Sequence, residues 1–150
     1  MLDTLKKLFQ GEQGSPRQSD QVTDEKVACA AILLEVAESD DSFPESEKKM
    51  VSTLLGNHFN LTPQQVDQLL AETTTAREKS VDLWPFTHAI SKSYTPEQKQ
   101  DVLRMVWQVI FADGRLDPYE EMLTRRLQTM LSVNHSLVVN AKQEARRAGP

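Results

Sequence analysis

The sequence predicts an all-α fold: a compact helical bundle of about seven helices built from two pseudo-symmetric helical repeats. Three observations predict it. Extended period-2 alternation is absent from about residue 22 onward. Helix starts are written as capping boxes at Thr62-Pro63-Gln64-Gln65, Thr95-Pro96-Glu97-Gln98 and Asp117-Pro118-Tyr119-Glu120. Each has a polar cap, a proline at the first helical position and a Gln or Glu that reaches back to the cap. Finally, two segments are apolar nearly all round, and a helix without a polar face must be surrounded by others.

Taken in order, residues 1–10 place Leu2, Leu5, Leu8 and Phe9 at helical spacing, with Lys6 and Lys7 between them. This short basic amphipathic segment has several open readings: contact with a membrane surface or a partner, packing back on the domain, or fraying. Residues 11–20 are polar, carry Gly11, Gly14 and Pro16, and read as a flexible linker. The chain thus divides into an N-terminal segment with its linker, 1–20, and a helical domain, 21–150.

Within the domain, a helix is expected over 23–39, carrying Val27, Ala30, Ala31, Ile32, Leu33, Leu34, Val36 and Ala37. Another follows over 44–59, with Met50, Leu54 and Leu55 inward and Glu47, Lys48 and Lys49 outward. The first capping box starts a helix over 63–78. Trp84-Pro85-Phe86 starts a short one over 84–92 and supplies core contact, and it is also a candidate recognition patch. The second box starts the other apolar helix, 96–112, with Val102, Leu103, Met105, Val106, Trp107, Val109, Ile110, Phe111 and Ala112. Helices over 118–131 and 135–147 complete the domain. The two apolar helices should form the centre of the bundle. Arg125-Arg126 and Arg146-Arg147 read as solvated helix ends.

Composition bounds the function. The chain has 150 residues, 39% hydrophobic and 26% charged, enough for one domain with a real core. Its net charge of −5 argues against nucleic acid, because phosphate contacts need a basic face. The single cysteine, Cys29, excludes an internal disulfide and a multi-cysteine zinc site. Flanked by Val27, Ala28, Ala30 and Ala31, it reads as a small buried hydrophobe. His58, His88 and His135 fit no metal-ligand spacing. No nucleophile elbow or glycine-rich phosphate loop occurs, so no catalytic residue is expected. No apolar run approaches a membrane span, and no signal-peptide region opens the chain; a cytoplasmic location is the expectation.

The two apolar helices are followed by the same punctuation. Asp40-Asp41-Ser42-Phe43-Pro44-Glu45-Ser46-Glu47 and Asp113-Gly114-Arg115-Leu116-Asp117-Pro118-Tyr119-Glu120 both fit Asp-x-x-apolar-x-x-x-Glu, at an offset of 73 residues. The offset extends to Leu33 and Val106, Val36 and Val109, Met50 and Leu123, and Leu54 and Leu127. After a one-residue slip, 61–70 corresponds to 133–142. The second copy matches the last eight positions of an EF-hand loop. The earlier ligand positions would be Val109 and Phe111, which cannot bind calcium, so a true EF-hand is excluded. What remains is a half-loop able to offer two oxygens per repeat to a hard cation. The alternative is a structural turn, with Asp113 accepting backbone N–H bonds, Gly114 supplying positive φ, Leu116 acting as a staple and Glu120 as a cap partner. In the first copy Pro44 occupies the cap position, which leaves Glu47 without an equal capping role.

At these residues the chain resembles the TerB-like family (tellurite resistance protein B-like), and in particular its stand-alone bacterial members. The resemblance rests on the duplicated motif and the apolar helix before each copy, with Ala112-Asp113-Gly114-Arg115-Leu116-x-x-x-Glu120 the best local match; it covers roughly residues 25–147. It implies a two-repeat helical bundle whose acidic surface binds divalent cations. It also implies links to tellurite and general stress responses, to membrane-associated complexes and to co-chaperone contexts beside J-domains. Carried over by residue, the metal site would be Asp40, Glu47, Asp113 and Glu120, taking Ca²⁺ or Mg²⁺, with no other cofactor and no catalytic activity. The first copy departs from the family's Asp-Gly by having Asp40-Asp41.

The expected function is therefore a non-enzymatic module that binds a divalent cation, engages a protein partner, or both. A purely structural interaction or co-chaperone-type scaffold without metal is the alternative. Peripheral contact with the inner face of the membrane would run through residues 1–10. Residues 35–47 carry six acidic side chains and no Lys or Arg, against −5 for the whole chain, so the other residues together carry +1. The acidity belongs to one turn region, where a cation or a basic partner should be sought.

Overall fold

The structure, a computed structural model, describes residues 24–38, 45–112 and 118–148. The expected N-terminal helix, Asp40, Asp113 and the capping role of Asp117 lie outside the described residues. Among those described, seven helices and no strands occur: α1 (Asp24–Ala37), α2 (Glu45–Phe59), α3 (Pro63–Glu78), α4 (Trp84–Ser93), α5 (Pro96–Phe111), α6 (Pro118–Met130) and α7 (His135–Ala148). The fold is all-α, as the sequence predicts.

Two helix starts are capping boxes in full. Thr62 Oγ1 accepts from the Gln65 N–H at 3.2 Å, and Gln65 Oε1 accepts from the Thr62 N–H at 2.8 Å. Thr95 and Gln98 repeat the exchange at 3.1 and 2.8 Å. Each box satisfies two of the donors a helix start leaves orphaned. A third cap is a lone side chain and not a capping box: Asn134 Oδ1 accepts from the Leu137 N–H at 3.0 Å and starts α7.

The apolar pattern decides the packing. Ten of the fourteen residues of α1 are buried, and α1 packs against α2, α3, α4 and α5. It is the central helix of the bundle. The second apolar helix, α5, packs on α1, α2 and, most extensively, α7. Residues 73 apart are buried alike: Leu33 and Val106, Val36 and Val109, Leu54 and Leu127.

Three expectations on side-chain direction need correction. Glu47 does not face outward; it is 1% exposed, while Lys48 and Lys49 are exposed as expected. The 3.6-residue period explains this, because Glu47 lies one turn before Val51 and two before Leu54, on the buried stripe of α2. Trp84 does not supply core contact. Phe86 does, at 8% exposure, whereas Trp84 stays 57% exposed with its ring stacked on His88 at 4.4 Å. Arg125 and Arg126 sit in the body of α6 and not at its end, whose last turn holds no basic residue. Arg146 and Arg147 do occupy the last turn of α7.

Candidate functional site

Of the four carboxylates named from the sequence, the structure describes one side chain. Glu47 is the third residue of α2 and is enclosed by the bundle. Glu120 is the third residue of α6, but its side chain, like Asp40 and Asp113, lies outside the described residues. Among the described residues, no group of three or more His, Cys, Asp or Glu side chains converges as a metal site would require.

A second acidic feature lies beside the first turn. Glu35 in the last turn of α1 and Glu38 just past its end both face the end of α3. Arg77 bridges them: its Nη1 donates to Glu38 Oε1 at 3.0 Å and its Nη2 to Glu35 Oε1 at 3.2 Å. All three side chains are part-exposed, so screening leaves the pair energies small, on the order of 1 kcal/mol or less. The bridge matters more for geometry, since it ties the C-terminal end of α1 to that of α3.

Beneath the bridge opens a groove of about 510 Å³. Its rim carries Glu35, Glu38, Glu78 and Asp82 against Arg77 and Arg126, a balance of −2. Its floor is apolar, from Leu83 and Phe86 at the start of α4 and Leu123 on α6. The connector between α3 and α4 forms one wall and leaves Val81 fully exposed. Local chemistry shapes this wall. Asp82 Oδ1 accepts from the Trp84 N–H at 3.0 Å, and the Phe86 and Thr87 N–H groups both return to the Leu83 carbonyl. These bonds start α4 sharply and turn Leu83 and Phe86 inward while Val81 and Trp84 face solvent. The groove sets a charged rim over a narrow apolar floor, whose side chains are at most 9% exposed, with Val81 as its one fully exposed apolar residue.

Sequence reasoning did not find this groove. Its residues come from four elements between positions 35 and 126. One signal was present: Glu35 and Glu38, three apart, are the only acidic residues in the apolar stretch 26–38. Acidic residues three apart share one helix face, where a single arginine can bridge both, and Arg77 does so.

Elsewhere the titratable groups look structural. Cys29 is wholly buried, which pushes its thiol up to about 12 and removes the thiolate needed for reactivity. Burial likewise raises Tyr94 to about 12, with the neighbouring Cys29 and Glu25 adding to the effect. His58 is half-buried against Phe59. Its pKa is lowered by burial first and by Arg104 as well, against an opposing pull from Asp101. His88 and His135 are exposed.

Comparison with known proteins places this architecture. The family model described as tellurite resistance protein TerB matches residues 26–143. No curated protein matches the chain. Among solved structures, the crystal structure of a protein of unknown function from Porphyromonas gingivalis W83 is similar. Its TM-score is 0.64 at 18% identity, over 83% of this chain and 94% of that one. At that identity the likeness concerns the fold. No helix among the described residues is long and apolar enough to cross a membrane.

Proposed function

The chain belongs to the tellurite resistance protein TerB family, and from that premise we propose that it is a non-enzymatic interaction module which binds a basic, apolar-anchored protein segment. The groove between α1, α3, α4 and α6 carries this reading. The exposed Val81 on its wall, with the edges of Leu83 and Phe86 below it, takes an apolar side chain, and its rim of Glu35, Glu38, Glu78 and Asp82 attracts Lys or Arg beside it. The test is NMR shift mapping of the full chain titrated with a short Leu/Lys amphipathic peptide. Shifts should gather at Val81, Leu83, Phe86 and Leu123 and be lost in the Glu38→Lys/Glu78→Lys variant. Shifts spread over all acidic surfaces, or no saturation, overturn the reading.

A second reading concerns the duplicated acidic turns, which bind Ca²⁺ or Mg²⁺ through Asp40, Glu47, Asp113 and Glu120. Its support is the matched placement of the two closing glutamates, since Glu47 and Glu120 are each the third residue of the helix that follows an acidic turn. Titration calorimetry with each cation should give saturating heats that vanish in the Asp40→Ala/Asp113→Ala variant. Equal, negligible heats in both proteins sink this reading and leave a metal-free scaffold. The two halves are read as pseudo-symmetric on the strength of their matched burial. A role in tellurite and stress response is read from the family alone and belongs to this proposal.

A further inference from the structure

We propose that the occupant of the groove is the chain's own N-terminal segment, residues 1–10, docked in cis. The inference rests on the reading of the groove as a binding site and names what fills it.

Complementarity is the first support. Leu2, Leu5, Leu8 and Phe9 form one apolar stripe at helical spacing, with Lys6 and Lys7 beside it and Asp3 the only acid. The segment therefore carries +1, and the groove rim carries −2. An apolar stripe set against the exposed Val81, over the edges of Leu83 and Phe86, would leave the lysines at the acidic rim.

Reach is the second support. Residues 11–23 join the segment to the start of α1, and the groove lies at the far end of that helix, beside Glu35 and Glu38. At 1.5 Å per residue α1 spans about 20 Å. Thirteen residues reach at most about 45 Å at ~3.5 Å each, so the join is long enough to cover that distance. A tether long enough to cover the gap makes docking intramolecular, at an effective concentration on the order of millimolar. A single short amphipathic segment binds lipid weakly, so the tethered groove is the stronger competitor.

The full-length Gln10→Cys variant, labelled with a nitroxide, tests the inference. Cys29 is buried with its thiol pushed up, so the label goes to the introduced position. The amides of Val81, Leu83, Phe86 and Leu123 should lose intensity, independently of protein concentration, while those at the start of α3 keep theirs. Adding Leu5→Asp and Leu8→Asp should restore the lost signals. The same pair of changes should tighten binding of the Leu/Lys probe peptide, because the groove is vacated. Uniform or absent broadening overturns cis docking. Broadening that grows with protein concentration overturns it in favour of a second copy. No broadening together with Leu5- and Leu8-dependent sedimentation on anionic vesicles overturns it in favour of a membrane. If the probe peptide still maps to the groove in any of these cases, only the identity of the occupant fails and the interaction reading stands.

Discussion

Asn60 and Ser132, 72 residues apart, hold the same left-handed backbone, with φ of 58° and 59°. Each follows a helix, and the next N–H in each case returns five residues: Leu61 to the Gly56 carbonyl at 2.9 Å, Val133 to the Gln128 carbonyl at 3.2 Å. This is the helix-terminating geometry usually given to glycine. A capping residue then starts the next helix, Thr62 in one half and Asn134 in the other. The connector thus recurs at an offset of 72, one less than the 73 that relates Leu54 to Leu127. The one-residue slip of the sequence repeat therefore falls at the end of α6.

A left-handed conformation costs an L-residue roughly 1–2 kcal/mol, and asparagine tolerates it better than serine. Ser132→Gly should therefore stabilise the protein by about 0.5–1 kcal/mol after the added entropy of the unfolded glycine. Asn60→Gly should change stability less. Urea denaturation midpoints check both, and a lowered midpoint for Ser132→Gly contradicts the strain argument.

His58 makes stability pH-dependent. Its folded pKa lies below the ordinary 6.5, chiefly through burial, so the unfolded chain binds the proton more readily. Its contribution is complete above 6.5 and is lost as pH falls through the lowered value. The melting temperature should drop on acidification from about pH 8 to about pH 5, and less steeply in His58→Gln. Parallel curves for the two proteins remove His58 as a cause.

Cys29 should resist thiol reagents in the native protein, because burial holds its thiol at about 12 and shuts out the reagent. Titration with a chromogenic disulfide should release one equivalent only as the chain unfolds in urea. Prompt reaction in buffer would mean that α1 opens locally.

Lys142 caps the face of Trp107, with Nζ 4.6 Å from the ring centroid, and Arg146 lies over Phe111 at 5.6 Å. The first contact closes the α5–α7 interface. Lys142→Met keeps the aliphatic stem and removes the charge, so it should cost about 0.5–1 kcal/mol, and Lys142→Arg should cost less. Chemical denaturation of the two variants checks this, and equal stability of Lys142→Met and wild type refutes it.

The helices were legible because their signals are local. Pro63, Pro96 and Pro118 open α3, α5 and α6 where the capping pattern puts them. The ends of the described helices fall within two residues of those expected. The placement of Glu47 is also local: its charge points to exposure, but its spacing from Val51 and Leu54 puts it on the buried stripe, and spacing wins. Of the candidate cation site, the sequence supplied every residue, and the described structure adds the burial of one, Glu47.

The sequence by itself determined the all-α class, two of the capping boxes, the central place of α1 and the inert setting of Cys29. Each depends on hydrogen bonds within four residues or on an apolar period along one helix. Only the tertiary structure decided that Arg77 would span Glu35 and Glu38, and that Leu83, Phe86 and Leu123 would floor a groove below them. Those relations depend on where helices cross, and crossing is set by the summed packing of residues far apart in the chain, which no local pattern encodes.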